Sequence, residues 1–400
     1  MKRKTKVPSN LTGRYAMIQS FLWMGYAAIL GFASVYLLDH GFSNIQIGII
    51  SAVAGAVSAV LQPLLATIAD RPSSPSVKYF LVCLNFLQLF CAGLLMVFEN
   101  SAVMTGVFYG ICITFLMLLT PLVNSLGAET MNQGITMNFG VARGIGSVAY
   151  AAAAYLLGIL VKKAGAVTIP LFIVALCAGF LLSLGFFPFE KAAKPSVGQK
   201  RMFEGPVYFL RKYDRFAFTL LGCIFLYTSH VLLNNFNFQI VESKGGGSAE
   251  LGFAMALCAC VELPTMFFFG VMQKKKSSGF WFRLSGVFFM LKALGTLLVP
   301  GIRSFYCIQI FQMFGWALIQ VASIYFVNSL MEEQDVVKGQ AYMTMTYTIG
   351  SVVGSLLGGS LIDLFGITIM LIVAFVFGLL GMLLLLLIKA DVSGKRGMSR

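Results

Sequence analysis

Residues 371–388 read LIVAFVFGLLGMLLLLLI, a run of 18 residues that contains no charged side chain. A helix of roughly 20 apolar residues crosses the hydrocarbon core of a bilayer, which is about 30 Å thick. The run does not alternate apolar and polar residues as the strands of a membrane barrel do. It therefore predicts a transmembrane helix.

The same composition extends along the whole chain. Of its 400 residues, 58% are hydrophobic and 11% are charged, and the mean hydropathy is +0.86. Soluble domains carry about 25% charged residues, so the chain is predicted to be an all-α membrane protein. The apolar runs predict twelve transmembrane helices, over residues 14–39, 44–70, 77–98, 101–127, 138–161, 167–188, 214–241, 249–272, 278–300, 303–330, 338–364 and 366–389.

The longest interruption divides the predicted helices into two sets of six. Residues 189–213 carry Pro, Gly and a cluster of basic side chains, which predicts a cytoplasmic linker. On either side we expect an N-terminal six-helix bundle over residues 1–188 and a C-terminal six-helix bundle over residues 214–400.

Short repeats relate the two halves. VNSL occurs at residues 123–126 and 327–330, and IGSV occurs at residues 145–148 and 349–352, so both pairs are offset by 204. One shared offset predicts a duplication, with the halves related by a pseudo-twofold axis along the membrane normal. In transporters built this way, the substrate site lies near the midplane between the repeats.

The basic residues predict the orientation. Of the 29 Lys and Arg residues, 23 fall in segments on one side of the predicted helices and four on the other. The positive-inside rule places both termini in the cytoplasm, in a multi-pass protein of the cytoplasmic membrane. The net charge of +14 is then explained by the anionic inner leaflet, without a nucleic-acid partner.

The sequence predicts neither a metal site nor a cofactor. All eight cysteines fall in apolar runs without the spacing of zinc or redox motifs. No GxxxxGK[ST] motif is found, so we expect no nucleotide partner. No nucleophile and base stand at one depth, so we do not expect an enzyme.

Three charged residues fall deep inside predicted helices: Arg143, Glu262 and Lys292. A charge at the bilayer centre costs roughly 2.5–3.5 kcal/mol, so we expect these side chains to face a cavity or one another. Tyr150 follows Arg143 by seven residues and shares its helical face, which suits a polyhydroxylated ring or a carboxylate. Alternatively, Arg143 only holds its helix to Asn124 of the preceding one.

Glu262 and Lys292 lie at similar depth on neighbouring predicted helices, which makes an ion pair plausible. A buried carboxyl near a cation changes its proton affinity when a cavity fills and empties, so Glu262 is a candidate proton carrier. The alternative is a static structural pair.

Two predicted helices carry polar stripes. His230, Asn234 and Asn237 share one face of the seventh helix, and Gln312 and Trp316 share one face of the tenth. Amides offer donors and acceptors without a full charge, which suits sugars or nucleosides. His230 is equally consistent with a hydrogen-bonded structural role, and Trp316 with plain packing.

The duplicated twelve-helix pattern resembles the major facilitator superfamily. Residues 62–78, QPLLATIADRPSSPSVK, resemble its cytoplasmic signature at Asp70 and Arg71, although Ala66 stands where glycine is usual and Pro-Ser-Ser-Pro replaces the Gly-Arg-Arg core. We expect Asp70 and Arg71, with Lys78, to latch a cytoplasmic gate.

Within that superfamily, three stretches resemble the lactose permease-like branch of sugar and nucleoside proton symporters: QPLLATIAD, FGVARGIGSVAY and ELPTMFFFG. The resemblance implies that Arg143 binds sugar hydroxyls, that Tyr150 stacks on the ring, and that Glu262 and Lys292 are a coupling acid and base. The acidic residue that this branch carries on its fourth helix is missing here, and Asn124 lies near that position. We count Asn124 among the candidate substrate-binding residues.

These features together predict a secondary active transporter in the lipid bilayer. We expect it to move a small polar solute, namely a sugar, a nucleoside or a small organic anion, by alternating access in symport with protons. A proton-coupled exporter of the same fold is the main alternative, because the fold itself does not set the direction of transport. A solute sensor or non-transporting scaffold is a third.

Overall fold

The computed structural model describes residues 10–69, 74–132, 137–188, 206–332 and 335–387. Within these ranges all regular elements are helices. Eleven are long and apolar enough to cross a membrane, and one bent pair brings the number to 12. The predicted all-α fold with twelve transmembrane helices is confirmed. Spans 1 to 12 are Leu11–Gly31 with Ala33–Asp39, Asn44–Ala69, Val77–Val97, Ala102–Asn132, Phe139–Ala164, Thr168–Phe186, Asp214–Asn235 with Asn237–Ser243, Ser248–Lys275, Ser278–Leu298, Ile302–Leu330, Val336–Phe365 and Ile367–Leu387.

The duplication is visible in the backbone. Span 1 breaks at Phe32 (φ −105°, ψ 12°) and span 7 breaks at Phe236 (φ −109°, ψ 26°), two fully buried residues that lie 204 positions apart. Gly41 and Gly245, also 204 apart, follow these spans with φ of 77° and 82°, a left-handed conformation that favours glycine. The offset in the short sequence repeats therefore matches an offset in backbone geometry.

Span 10 is not the continuous helix that the sequence predicts. It consists of Ile302–Ile308, a 3₁₀ turn over Gln309–Gln312 and a second helix over Trp316–Leu330. The break leaves backbone carbonyls without helical partners, and Thr265 of span 8 donates to the carbonyl of Met313 at 2.8 Å. The interruption turns residues 309–316 toward spans 7, 8 and 9.

The two halves meet closely at one end, which we call the sealed end: residues 34–48, 158–165, 235–252 and 355–363. Here spans 5 and 8 approach so closely that a Cβ on Gly158 would lie 2.6 Å from the carbonyl oxygen of Ser248. On the other seam, a Cβ on Gly48 would clash with the carbonyl of Ser355. Small residues allow helix backbones to meet in this way.

Hydrogen bonds tie the sealed end across the halves. The Asp363 carboxylate of span 11 accepts from the first residues of span 2, namely from Asn44 Nδ2 at 2.7 Å and from the Ile45 amide at 2.8 Å. Ser34 Oγ donates to the carbonyl of Asn235 at 2.8 Å, just before the break in span 7. These bonds link spans 1 and 2 to spans 7 and 11.

The opposite end is open along span 2. Its last turns expose side chains on most sides of the helix, including Pro63, Leu64, Thr67 and Ile68. The corresponding part of span 11 exposes Thr344, Met345 and Tyr347. Spans 2 and 11 therefore pack together at the sealed end, and their side chains are more exposed toward the other end.

A short helix over Pro206–Lys212 precedes span 7, in the last part of the predicted linker. Lys212 Nζ donates to Asp335 at 2.7 Å and to Glu332 at 3.1 Å, and the Tyr213 hydroxyl donates to Asp335 at 2.8 Å. The hydrogen bond with Asp335 raises the pKa of Lys212, and the same bond lowers the pKa of Asp335. This contact ties the beginning of the C-terminal half to the loop before span 11.

Candidate functional site

Arg143 lies over an aromatic ring of span 1. The centre of its guanidinium is 3.7 Å from the centroid of Trp23, and its Nη1 donates to Ser147 Oγ at 3.0 Å. Trp23 is held in turn, because its Nε1 donates to Gln19 at 3.0 Å and Gln19 donates to the Tyr15 hydroxyl at 2.9 Å. A cation over a tryptophan face is attracted by the ring electrons.

The sequence of span 5 makes this contact possible. Gly146 faces span 1, where a Cβ would lie 2.9 Å from Trp23 Cδ1 and 3.2 Å from the carbonyl oxygen of Gln19. Because glycine has no Cβ, the indole can lie against the helix directly beneath Arg143. Gly146, in the run GIGSVAY that follows Arg143, thus allows Arg143 of span 5 and the Trp23 ring of span 1 to come into contact.

Two predicted partners of Arg143 occupy other positions. The ring beneath the guanidinium is Trp23, whereas the half-buried Tyr150 lies within electrostatic range of Cys258 and Glu262 in the other half. Asn124 is exposed and makes no hydrogen bond to Arg143. Arg143 therefore does not use Asn124 to hold spans 4 and 5 together.

In the C-terminal half, an amide lies between the two predicted ion-pair partners. Lys292 Nζ donates to Gln312 Oε1, and Gln312 Nε2 donates to Glu262 Oε1 at 2.9 Å. Lys292 and Gln312 are only 7% and 5% exposed. In place of the expected direct ion pair, the 3₁₀ turn of span 10 inserts Gln312 between the acid and the base.

Arg143 and Glu262 lie on spans 5 and 8, one from each half, and these spans pack closely: a Cβ on Gly144 would lie 2.9 Å from Phe267 Cζ of span 8. The two charged side chains lie within electrostatic range of each other, and both are half-buried. A cation of span 5 and a carboxylate of span 8 thus lie in one region between the two halves.

His230 stacks on a ring of span 10. The His230 and Trp316 rings are 4.1 Å apart and inclined by only 5°, and Asn234 Nδ2 lies 2.6 Å from His230 Nε2. Asn237 lies beyond the break at Phe236 and belongs to a separate helix. The predicted stripe of span 7 is therefore divided: His230 and Asn234 are together, and Asn237 is apart from them.

The pseudo-twofold relation extends to the site. Trp23 and Tyr227 are 204 positions apart, and so are Arg143 and Tyr347. Arg143 lies over Trp23, while Tyr347 packs edge-on against Tyr227 with centroids 5.4 Å apart. The same backbone arrangement carries a cation over an aromatic ring in one half and a pair of aromatic rings in the other.

Sequence reasoning missed Trp23, Gln19 and the contact between Cys258 and Gln309, whose atoms Sγ and Oε1 are 3.0 Å apart. Gln19 and Trp23 lie one helical turn apart on span 1, a polar and aromatic pair in an apolar run, which was the available signal. Among the described residues, no group of three His, Cys, Asp or Glu side chains lies close enough to hold a metal ion.

Of the three residues predicted to form a cytoplasmic gate, the structure describes only Lys78. Asp70 and Arg71 lie outside the described residues. Lys78 donates to the carbonyl of Phe187 at 2.7 Å, which ties the start of span 3 to the end of span 6 within the N-terminal half.

Comparison with known sequences identifies the family. Residues 15–373 match the MFS_1 like family. The chain belongs to this family. Membership confirms the resemblance to the major facilitator superfamily, and it makes the chain a transporter and not an enzyme. No curated protein matches the sequence significantly.

Solved structures with the same fold are transporters. The nucleoside transporter NupG superimposes with a TM-score of 0.79 at 16% identity, covering 97% of this chain and 100% of that one. The POT family transporter PepTSo gives a TM-score of 0.68 at 12% identity, covering 96% and 97%. A bacterial homologue of the iron transporter ferroportin gives 0.65 at 13% identity, covering 95% and 99%. Because these identities are low, the matches show only that this MFS_1 like protein shares the fold of these transporters.

Proposed function

We propose that this transporter moves a small polar solute, a sugar, a nucleoside or a small organic anion, by alternating access in symport with protons. The observation that carries the proposal is the placement of Arg143 on span 5, over the Trp23 ring, and of Glu262 on span 8, on two spans from different halves that pack together. A site shared by both halves changes its shape when the halves rock, which is what alternating access requires.

The proposed substrate contacts come from both halves. Arg143 supplies a planar set of donors above Trp23, and the stacked rings of His230 and Trp316 lie in the opposite half. Aromatic faces suit a sugar ring or a nucleobase, and NupG is named as a nucleoside transporter. We assign substrate binding to Arg143, Tyr150, Asn124, His230, Asn234, Asn237, Gln312 and Trp316, and add Trp23.

Proton coupling is assigned to Glu262 with Lys292. Glu262 is the one carboxylate among the described residues deep in the spans. It accepts a hydrogen bond from the Gln312 amide, which in turn accepts one from Lys292, and it lies within electrostatic range of Arg143. A solute that binds Arg143 changes the field at Glu262, and a proton on Glu262 changes the field at Arg143. Binding of the solute and of the proton are therefore linked.

The proposed cycle assigns the sealed end to the outside and the open end to the cytoplasm. The count of basic residues supports this orientation, with both termini cytoplasmic in the cell membrane. In the outward-facing state the contacts of the sealed end break and the open end closes, with Asp70, Arg71 and Lys78 as the proposed cytoplasmic latch.

Uptake into proteoliposomes tests the proposal. A solute panel is presented with and without an inward proton gradient to the wild type, to Arg143→Ala and to Glu262→Gln, with Lys163→Gln, at an exposed helix end, as the matched control. We expect Arg143→Ala to lose binding and transport. We expect Glu262→Gln to lose gradient-driven accumulation while it keeps solute exchange.

The results separate the alternatives. Accumulation driven by a gradient of the opposite direction indicates an exporter. Wild-type behaviour of both site variants contradicts the assignment of the site.

A further inference from the structure

The charges of the site do not balance. Among the described residues deep in the spans are two cations, Arg143 and Lys292, and one carboxylate, Glu262. The ion pairs found among the described residues involve Lys162 and Lys212, at the ends of the spans. Each of the two deep cations instead contacts neutral groups.

Arg143 has hydrogen-bonding capacity to spare. A guanidinium carries five N–H donors in a planar fork, and Nη1 uses one of them for Ser147. One face of the fork is covered by Trp23 at 3.7 Å. The donors along its edge remain, and a fork of this shape binds a carboxylate with two parallel hydrogen bonds.

Glu262 does not fill this role in the structure. Its Oε1 accepts from Gln312 at 2.9 Å, and it acts on Arg143 through space without an ion-pair contact. Gln312 is neutral, so bridging Lys292 to Glu262 leaves the excess positive charge in place. A carboxylate bound to the fork pairs the Arg143 charge directly, whether or not Glu262 carries a proton, and so lowers the cost of an unpaired cation within the membrane.

We infer that the substrate carries a single carboxylate, which Arg143 binds with the free edge of its guanidinium. This inference rests on the proposed function and names the substrate class of the same site. A proton on Glu262 and a monocarboxylate on Arg143 together add no net charge. The empty and the fully loaded site then carry the same charge, so the proposed cycle is electroneutral.

Electroneutrality separates this class from neutral sugars and nucleosides, whose symport with a proton moves one positive charge per cycle. For a neutral solute, a membrane potential that is negative inside drives accumulation. For a monocarboxylate with one proton, the potential has no effect and only the pH gradient drives accumulation.

The experiment begins without assuming a substrate. Proteoliposomes with the wild-type protein, and protein-free liposomes as the control, are incubated with a bacterial metabolite extract under an inward proton gradient. Mass spectrometry then identifies the solutes that accumulate. We expect a monocarboxylate. Accumulation of a neutral or cationic solute overturns the inference but not the proposed function, whereas no accumulation under a gradient of either direction overturns the proposed function as well.

The retained solute is then tested with a pH gradient alone and with a potassium diffusion potential alone. We expect accumulation with the first and none with the second, and accumulation with the potential alone overturns the inference. Arg143→Lys keeps the charge and loses the fork, so we expect the KM to rise roughly tenfold or more. Lys163→Gln is expected to match the wild type, and an unchanged KM in Arg143→Lys contradicts binding by the fork.

Discussion

Replacing Asp363 with alanine removes the carboxylate that holds span 2 to span 11 at the sealed end. The carboxylate accepts from the Asn44 amide at 3.3 Å, from Asn44 Nδ2 at 2.7 Å and from the Ile45 amide at 2.8 Å. The first amides of a helix lack helical acceptors, and a negative charge there is also favoured by the helix dipole. In the proposed cycle the two spans separate when this end opens, so the bonds are expected to stabilise only the sealed state.

The expected shift follows from these bonds. Asp363 is exposed, so each bond contributes toward the low end of the usual range, and together we assign them about 2 kcal/mol. This corresponds to about a 30-fold increase in the ratio of open to sealed molecules. Lys162→Gln is the matched control on the other seam, where the exposed Lys162–Glu250 pair spans 3.7 Å and is worth at most about 0.5 kcal/mol, or about twofold.

Labelling of Cys258 measures the shift. This half-buried thiol of span 8 lies between the sealed end and Glu262. In the proposed orientation, we expect a membrane-impermeant maleimide added to intact cells to reach it only when the outer end opens. In a background that lacks the exposed thiols, Cys260→Ser with Cys307→Ser, we expect the labelling rate to rise about 30-fold in Asp363→Ala and about twofold in Lys162→Gln. Equal rates in the wild type and in Asp363→Ala refute the assigned role, as does a Lys162→Gln effect of the same size.

Three further variants test other contacts. Gly158→Val places a Cβ 2.6 Å from a carbonyl oxygen of span 8, so we expect it to open the same end and to accelerate the same labelling; an unchanged rate argues against close packing there. Trp23→Leu removes the ring under Arg143, and we expect the KM for solute to rise roughly fivefold while Trp23→Phe retains most of the affinity. Asp335→Asn removes the negative charge that Lys212 contacts, while an amide oxygen still accepts, and we expect a lower midpoint of thermal unfolding. Since the pKa of Asp335 is lowered and that of Lys212 is raised, the difference from wild type is expected to stay constant from about pH 5 to about pH 9 and to vanish as the pH falls through the lowered pKa of Asp335.

The positions of the spans follow from composition because hydrocarbon imposes a minimum apolar length. The described ends of the helices lie within five residues of the predicted ones. The breaks at Phe32, Phe236 and residues 309–315 do not follow, because the sequence is equally apolar on both sides of each break. They depend on contacts between spans, such as Ser34 donating to the carbonyl of Asn235.

The sequence indicates which residues belong to the candidate site, but it does not indicate which of them are in contact. Arg143, Glu262 and Lys292 stand out because charge is rare in a membrane span. Their partners are set by the path of the backbone: the turn of span 10 brings Gln312 between Lys292 and Glu262, and Gly146 admits Trp23 beneath Arg143. The turn has no pattern in the sequence that distinguishes it from ordinary packing, and the Gln19–Trp23 pair marks a polar face of span 1 without showing which span it meets.

Where Gly158 meets the start of span 8, and where Gly48 meets the carbonyl of Ser355, main chain touches main chain. Because glycine has no side chain, forming or separating such a junction changes the side-chain conformational entropy very little. Its separation therefore requires little side-chain reorganisation. The remaining resistance to parting comes from a few polar groups such as Asp363. In the proposed cycle, a single substitution among these groups is therefore expected to change how long the molecule remains in each state, while the shape of the junction is preserved.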